Sequence, residues 1–163
     1  MEKIEQTIDD RLFRQAMGSF ASGVTVITTK SNGDIHGMTA NAFMSISLQP
    51  KLIAISVDHR AKMLEHIREA KKFAVNILSD QQKEMSMYFA GQLKEKRAIS
   101  FEELQGVPVL PKSATSIACQ LYNEHEAGDH TIFIGEVLGI TLEKEAPLVF
   151  HGGQYKKIVP AIN

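Results

Sequence analysis

The sequence predicts a mainly β fold, an antiparallel barrel with helices packed on its outside. Three observations lead there: several segments of strand composition and modest length, only two or three segments with helical spacing, and few of the strand–helix–strand intervals that build parallel sheets. A doubly wound sheet is the disfavoured alternative. No Gly-x-Gly-x-x-Gly turn follows a strand, so a dinucleotide bound here would need a scheme other than the usual fingerprint.

The first element spans residues 9–20. Leu12, Phe13, Ala16, Met17 and Phe20 recur at three- and four-residue spacing and share one helix face, with Asp9 or Asp10 as cap and Gly18 near the end. Residues 24–29 are dense in β-branched side chains and read as a strand. Asn32-Gly33 then gives a hairpin turn, because both residues tolerate positive φ, and the return strand runs over 35–40. Residues 52–57 form a buried strand behind Pro50. Residues 61–70 form a helix with Leu64 and Ile67 facing inward.

Residues 73–78 are the next strand, and Asp80 is placed to cap a helix over 81–90 that sets Met85 and Phe89 on one side. The pattern weakens over 91–112, which reads as a long excursion with a short helix over 99–104. In the strand over 116–122, Ile117, Cys119 and Leu121 alternate with Ala118 and Gln120, so Cys119 faces the core. Residues 131–142 make a long strand that Gly135 and Gly139 allow to bend or bulge. Short strands over 147–150 and 155–159 close the chain around Gly152-Gly153.

Length and composition set outer limits. A chain of 163 residues with 44% hydrophobic residues is the size of one domain with a substantial core. Its 18 Lys and Arg against 19 Asp and Glu give a net charge of -1, which points away from nucleic-acid and membrane-surface partners and makes any anion site local. The single cysteine, Cys119, rules out an internal disulfide and favours a reducing compartment. Residues 1–10 lack the basic stretch and apolar run of a signal peptide, and no apolar run approaches the roughly 20 residues of a membrane span. A cytoplasmic protein is expected.

Three segments can carry chemistry. Asp58-His59-Arg60-Ala61-Lys62 lies where a strand meets a helix N-terminus, where positive side chains are out of place unless an anion is bound. The alternative is that Arg60 and Lys62 extend into water. Residues 37–45, GMTANAFMS, combine small residues that let backbone approach a flat ligand with hydrogen-bonding Thr39, Asn41 and Ser45. An ordinary polar loop with Phe43 and Met44 in the core is the alternative there. Glu126-Ala127-Gly128-Asp129-His130 sets a carboxylate beside a histidine, an arrangement suited to proton transfer or to donating to a substrate. The alternative is an exposed turn histidine with no role. His125, Glu126, Asp129 and His130 match no established metal spacing, and no Gly-x-Ser-x-Gly elbow is present.

Taken in order, these segments resemble the short-chain flavin reductase family with its FMN-binding split-barrel fold. The marks are FRQAMGSFASGVTV over 13–26, GMTANAFMS over 37–45, FAVNIL over 73–78, FAG over 89–91, GDH over 128–130 with IGEV over 134–137, and PLVF over 147–150 through Gly153 to Tyr155. The resemblance covers nearly the whole chain and is nearest to the small reductase components of two-component aromatic hydroxylases acting on phenol or 4-hydroxyphenylacetate. It implies a homodimer that binds FAD or FMN near the subunit interface, reduces it by hydride transfer from NADH or NADPH, and supplies it to a separate flavin-dependent monooxygenase.

Carried over position by position, the resemblance assigns Thr39, Ala40, Asn41, Met44 and Ser45 to the isoalloxazine ring. It sets Ser56, Val57, Asp58 and His59 along the ribityl chain, and Lys62 with the start of its helix at the phosphate. Many relatives have Ser or Thr where this chain has Ala61 and Met63, which shifts phosphate binding toward backbone amides, His59 and Lys62. Phe89, Ala90 and Gly91 approach the flavin or its adenine end. His130 falls beside the nicotinamide, and Tyr155 borders the same pocket or packs against it. With no basic cluster dedicated to a 2′-phosphate, NADH is the expected reductant. The competing reading is a flavin-binding electron carrier on the same barrel, with negligible NADH oxidation. A split-barrel oxidase of a pyridoxine phosphate would need a second set of phosphate-binding basic residues, which is not evident.

Overall fold

The structure, a computed structural model, describes residues 7–162. It opens with helix α1 (Asp10–Gly18), where the Leu12 N–H donates to the Asp9 carboxylate over 2.7 Å, so Asp9 is the cap. Its apolar face exists as the spacing predicts, yet no residue of α1 is buried. Strands β1 (Ser22–Gly23), β2 (Thr25–Ser31) and β3 (Asp34–Ala40) follow, β2 and β3 joined through Asn32-Gly33 with positive φ at both residues.

Next come β4 (Phe43–Leu48), β5 (Lys51–Asp58), α2 (Met63–Ala70), β6 (Lys72–Ile77) and α3 (Lys83–Phe89). Leu64 and Ile67 of α2 are buried as expected. The polar loop considered for 37–45 is instead the end of β3 and the start of β4 with Asn41 and Ala42 between them, and Met44 is exposed rather than in the core. Asp80 does not cap α3. That position belongs to Gln82, whose side-chain carbonyl accepts from the Ser79 N–H over 3.0 Å and whose amide donates to the Pro111 carbonyl.

The remaining strands are β7 (Glu102–Leu104), β8 (Val107–Val109), β9 (Thr115–Ala127), β10 (His130–Leu142), β11 (Val149–His151) and β12 (Gln154–Lys156). The helix expected over 99–104 is replaced by the β7–β8 hairpin, turning at Gln105-Gly106 with positive φ at both. Val107 and Val109 pack with Ala74 and Ala118 on the outside of the sheet, a burial that a short helix of this composition would not supply. The β9–β10 register shifts beside both glycines that the sequence singles out: between Ile134 and Gly135 the extra residue is Tyr122 of β9, and between Val137 and Gly139 it is Leu138 of β10. A Cβ on Gly135 would lie 2.7 Å from Cζ of Phe73 and 2.8 Å from Cβ of Cys119, so the ring of Phe73 takes the space that a side chain there would need.

Seven strands form one antiparallel sheet in the order β3-β2-β6-β9-β10-β5-β4. All seven contribute to one core: Ile27, Val75, Cys119, Phe133 and Ile55 are buried in it, and Met38, Ala40 and Phe43 of the two edge strands pack against it. The sheet therefore curls back on itself, while β3 and β4 make no pairing with each other, leaving the barrel split along that edge. Met63, Leu64 and Ile67 of α2 join the same core. A second cluster on the outside, with Val24, Val26, Leu78, Leu110 and Leu148, seats α3 through Met85 and Phe89 and the β11–β12 hairpin through Phe150 and Tyr155. No helix among the described residues is long and apolar enough to cross a membrane.

Candidate functional site

A trough runs along β3 beside α2 and α3. Its larger part, about 600 Å³, is lined by residues 35–38 of β3, by Ala61, Lys62, Met63 and His66 around the start of α2, and by Tyr88, Phe89, Gly91 and residues 93–96 beyond α3. The next residues on the same strand and helix line a smaller cleft of about 260 Å³, containing Thr39, Asn41, Ser86, Ala90 and Tyr155. Of the sequence-predicted site residues, the structure thus gathers Lys62, Phe89 and Gly91 in the first space and Thr39, Asn41, Ala90 and Tyr155 in the second. Gly37 is needed at the join, because a Cβ there would lie 2.6 Å from Cδ1 of Phe89.

Ser86, absent from the sequence reading, joins two predicted residues across this cleft. Thr39 Oγ1 donates to the Ser86 carbonyl over 2.6 Å, and Ser86 Oγ shares a hydrogen bond of 2.8 Å with the Tyr155 hydroxyl. Ser86 is buried in mid-helix between two methionines, and that placement of a hydroxyl is the one hint the sequence offers. Phe150 meets the ring of Tyr155 edge-on at 5.3 Å, and the Lys83 ammonium sits 5.5 Å from its centroid. Strand β3, helix α3 and the β11–β12 hairpin are thereby fixed against one another around the cleft.

Other predicted residues lie apart from the trough. Ala40 packs on the barrel core and Val57 is buried in it, so only their backbones can reach a ligand. Ser56 donates its N–H to the Ala42 carbonyl over 3.2 Å, tying β5 to the rim at Asn41. Register sets Asp58 opposite His130 and Ser56 opposite Ile132, while Met44 lies opposite Ala54. Met44 and Ser45 are exposed. His59 approaches Thr131 Oγ1 through Nε2 at 3.2 Å, and its backbone N–H donates to the Asp129 carbonyl.

The cationic cluster anticipated at His59, Arg60 and Lys62 is divided. Arg60 makes two side-chain hydrogen bonds to Asp58, 3.1 Å from Nε and 2.7 Å from a terminal nitrogen, and its backbone N–H also donates to that carboxylate. These bonds hold the Asp58 carboxyl far below its ordinary value and raise Arg60 above its own. Lys62 is left as the cation of this segment that lines the trough.

At the neighbouring corner, His130 Nδ1 lies 2.7 Å from Asp129 Oδ1, and this hydrogen bond holds the Asp129 carboxyl below its usual range. Nδ1 engaged by a carboxylate leaves Nε2 to meet a ligand. Cys119 is out of the question as a nucleophile: burial pushes its thiol up to about 12. Among the described residues, no three His, Cys, Asp or Glu side chains gather as a metal site.

Comparison with known proteins adds a consistent set of relatives. Residues 17–159 match the family described as "Flavin reductase like domain". The chain is 41% identical over 148 residues to the NADH-dependent flavin reductase of a Rhodococcus species, covering 89% of this chain and 84% of that protein. It is 37% identical to the reductase component of 4-hydroxyphenylacetate 3-monooxygenase from Thermus thermophilus, covering 90% and 95%. Among solved structures, "Flavin reductase PheA2 in native state" matches with a TM-score of 0.92 and 57% identity over 94% of this chain and all of that one. "Streptomyces globisporus C-1027 NADH:FAD oxidoreductase SgcE6 in complex with NAD and FAD fragments" matches at 0.88 and 31%, over 97% and 99%. With the split barrel, the trough along its open edge and a family match running from α1 to beyond β12, the chain belongs to the flavin reductase-like domain family.

Proposed function

We propose that this chain is an NADH-dependent flavin reductase that passes reduced FAD or FMN to a separate flavin-dependent monooxygenase. The observation that carries the reading is the trough along β3, which brings Thr39, Asn41, Ala90 and Tyr155 next to Lys62, Phe89 and Gly91 in a family whose named members reduce flavins with NADH. Its lining suits a flavin nucleotide: small and amide side chains for the ring edge, a lysine for phosphate, and an exposed histidine beyond. Bound flavin supplies the hydride acceptor, so the protein's work is to hold two flat rings in contact and to stabilise charge on the polar edge.

In this assignment Asn41 and Ser45 present donors to the ring and Thr39, whose hydroxyl proton is held by the Ser86 carbonyl, borders it, with the backbone of Ala40 and the exposed side chain of Met44 beside them. Ser56, Val57, Asp58 and His59 follow the ribityl chain, Lys62 holds phosphate, and His130 Nε2 meets the nicotinamide. Initial rates of NADH oxidation by metal-free protein test it, with FAD, FMN or riboflavin added. Flavin-dependent turnover is expected, and tight flavin binding without turnover would instead support the electron-carrier reading.

The functional unit is a cytoplasmic homodimer in this reading. Exposed apolar side chains support it: Phe13 (55% exposed), Met17 and the following Phe20 (83%) at α1, Met44 and Leu48 (80%) on β4, and Ile140 and Leu142 (79%) on β10. That much uncovered large apolar surface is unusual on a monomer. Light scattering is expected to return twice the chain mass, and a monomeric mass at micromolar concentration would contradict the dimer.

A further inference from the structure

Ser86 Oγ and the Tyr155 hydroxyl lie 2.8 Å apart, and by distance alone either oxygen is able to donate. Their surroundings decide which one does. Ser86 is 1% exposed, in the middle of α3, and among the described residues Tyr155 is the one hydrogen-bond partner of its hydroxyl. If Tyr155 gave its hydrogen to Ser86, the hydrogen of Ser86 would be shut inside the protein with no acceptor, an arrangement that folded proteins avoid. If Ser86 gives its hydrogen to Tyr155, both groups are served, because Tyr155 is half-buried, lines the cleft and can use its own hydrogen there.

The rest of the cleft fixes the phenol without claiming that hydrogen. Phe150 meets the ring edge-on and the Lys83 ammonium sits by its face, which hold the ring plane. Conjugation keeps a phenol O–H near the plane of its ring, which leaves two directions, and the hydrogen arriving from Ser86 occupies one of them. Thr39 of β3 has already given its hydrogen to the Ser86 carbonyl. Of the three hydroxyls that line the cleft, Tyr155 is therefore the one with a hydrogen left for an occupant.

We propose that Ser86 is a positioning residue: it donates to the Tyr155 phenol and so turns the phenol hydrogen into the cleft, as donor to a carbonyl oxygen on the edge of a flat ring. The inference rests on the flavin reductase reading for its ligand, where such an oxygen belongs to the flavin ring or to the nicotinamide carboxamide. It adds to that reading the direction of one hydrogen bond and the buried side chain that sets it.

The direction is read first, with no ligand present, from the Raman doublet of the tyrosine ring, whose intensity ratio reports whether the phenol oxygen mainly donates or accepts. Subtracting the spectrum of Tyr155→Phe isolates this tyrosine from Tyr88 and Tyr122. Ser86→Ala, read against the Ser86→Ala/Tyr155→Phe double variant, should move the ratio toward the donor end, because the oxygen has lost the hydrogen it accepted. A move toward the acceptor end, or none, would overturn the proposal. Each substitution removes one oxygen atom and leaves the packing of α3 and the β11–β12 hairpin in place.

Binding is read by flavin fluorescence titration and by KM for NADH. Tyr155→Phe is expected to weaken one of the two ligands about three- to tenfold, the scale of one neutral hydrogen bond, and to leave the other within about twofold. A loss on the flavin places the acceptor there, and a loss on NADH places it on the carboxamide. Ser86→Ala should weaken the same ligand up to about threefold and have no further effect once the phenol hydroxyl is gone. Both ligands within about twofold in Tyr155→Phe, or an equal loss of both as a slackened hairpin would give, would count against the phenol as donor. Flavin-dependent NADH oxidation by the wild type keeps the two readings apart: if it fails, the reductase assignment falls, while the ligand-free Raman shift still decides between Ser86 and Tyr155 as donor.

Discussion

His130→Ala is expected to raise KM for NADH about tenfold or more while the dissociation constant for oxidised flavin moves less than about twofold. His130 opens β10 at the corner shared with the end of β5, opposite Asp58, and lines neither part of the trough. Asp129 holds its Nδ1 at 2.7 Å, and Asp58, opposite in the sheet, is itself tied to Arg60. The ring is thus aimed by one carboxylate, with a second beside it already neutralised. A contact made to bound nicotinamide in both ground and transition states appears in KM, whereas one made only as hydride moves appears in kcat with KM unchanged. His130→Gln, which keeps a donor at a similar reach, should recover part of the loss. Steady-state kinetics in NADH at saturating FAD, beside a flavin titration, read both quantities. Unchanged NADH kinetics would remove His130 from the site.

Asn76→Ala is expected to cost about 3–5 kcal/mol of stability, a large share of the roughly 5–15 kcal/mol that holds a domain folded. Asn76 is fully buried on β6 and spends its whole amide on four partners. Its Nδ2 donates to the Val26 carbonyl and to Thr28 Oγ1, both at 2.9 Å, and its Oδ1 accepts from the Leu110 N–H at 2.8 Å and from Ser116 Oγ at 2.9 Å. One side chain therefore joins β2, β6, β9 and the segment after β8. Truncation orphans a buried backbone N–H and adds a cavity, two penalties that sum. Asn76→Asp keeps the volume but loses both donors and buries a carboxylate, whose pKa rises in the folded state. Its folded form therefore binds the extra proton, and that variant should gain stability as pH falls toward 5, the reverse of an ion-paired carboxylate. Urea unfolding at pH 7 and pH 5 measures both effects. A loss under about 1 kcal/mol in Asn76→Ala would contradict this account of the amide.

What could be read from the sequence follows the range of the forces involved. Asn32-Gly33, the Asp9 cap and Gly139 beside the β10 bulge act within a few residues, and the structure has each of them where the pattern placed it. Asp80 looked like the cap of α3 because acidic caps are common, but Gln82 can reach the Ser79 N–H and the Pro111 carbonyl together, and a contact 29 residues away is invisible to a local pattern. The hairpin over 102–109 was hidden for the same reason: its valines make sense only against Ala74 and Ala118.

The candidate site divides along the same line. Thr39, Asn41, Lys62 and residues 89–91 stand out by composition and by family resemblance, since each segment carries its own signal. Ser86, joined to Tyr155 across 69 residues, and His36 of β3, stacked on His66 of α2, have no local signature and emerge only when the fold brings their elements together. The apolar face of α1 was legible as a face but not as an exposed one, because periodicity reports a buried stripe without naming what buries it.

The most direct test of the central claim is anaerobic mixing of the protein and FAD with NADH, following flavin and nicotinamide absorbance together. The account predicts that flavin is bleached as NADH is consumed one for one, more slowly when the transferred C4 hydrogen is deuterium. Flavin that binds but stays oxidised in excess NADH would contradict it and leave a flavin carrier in place of a reductase.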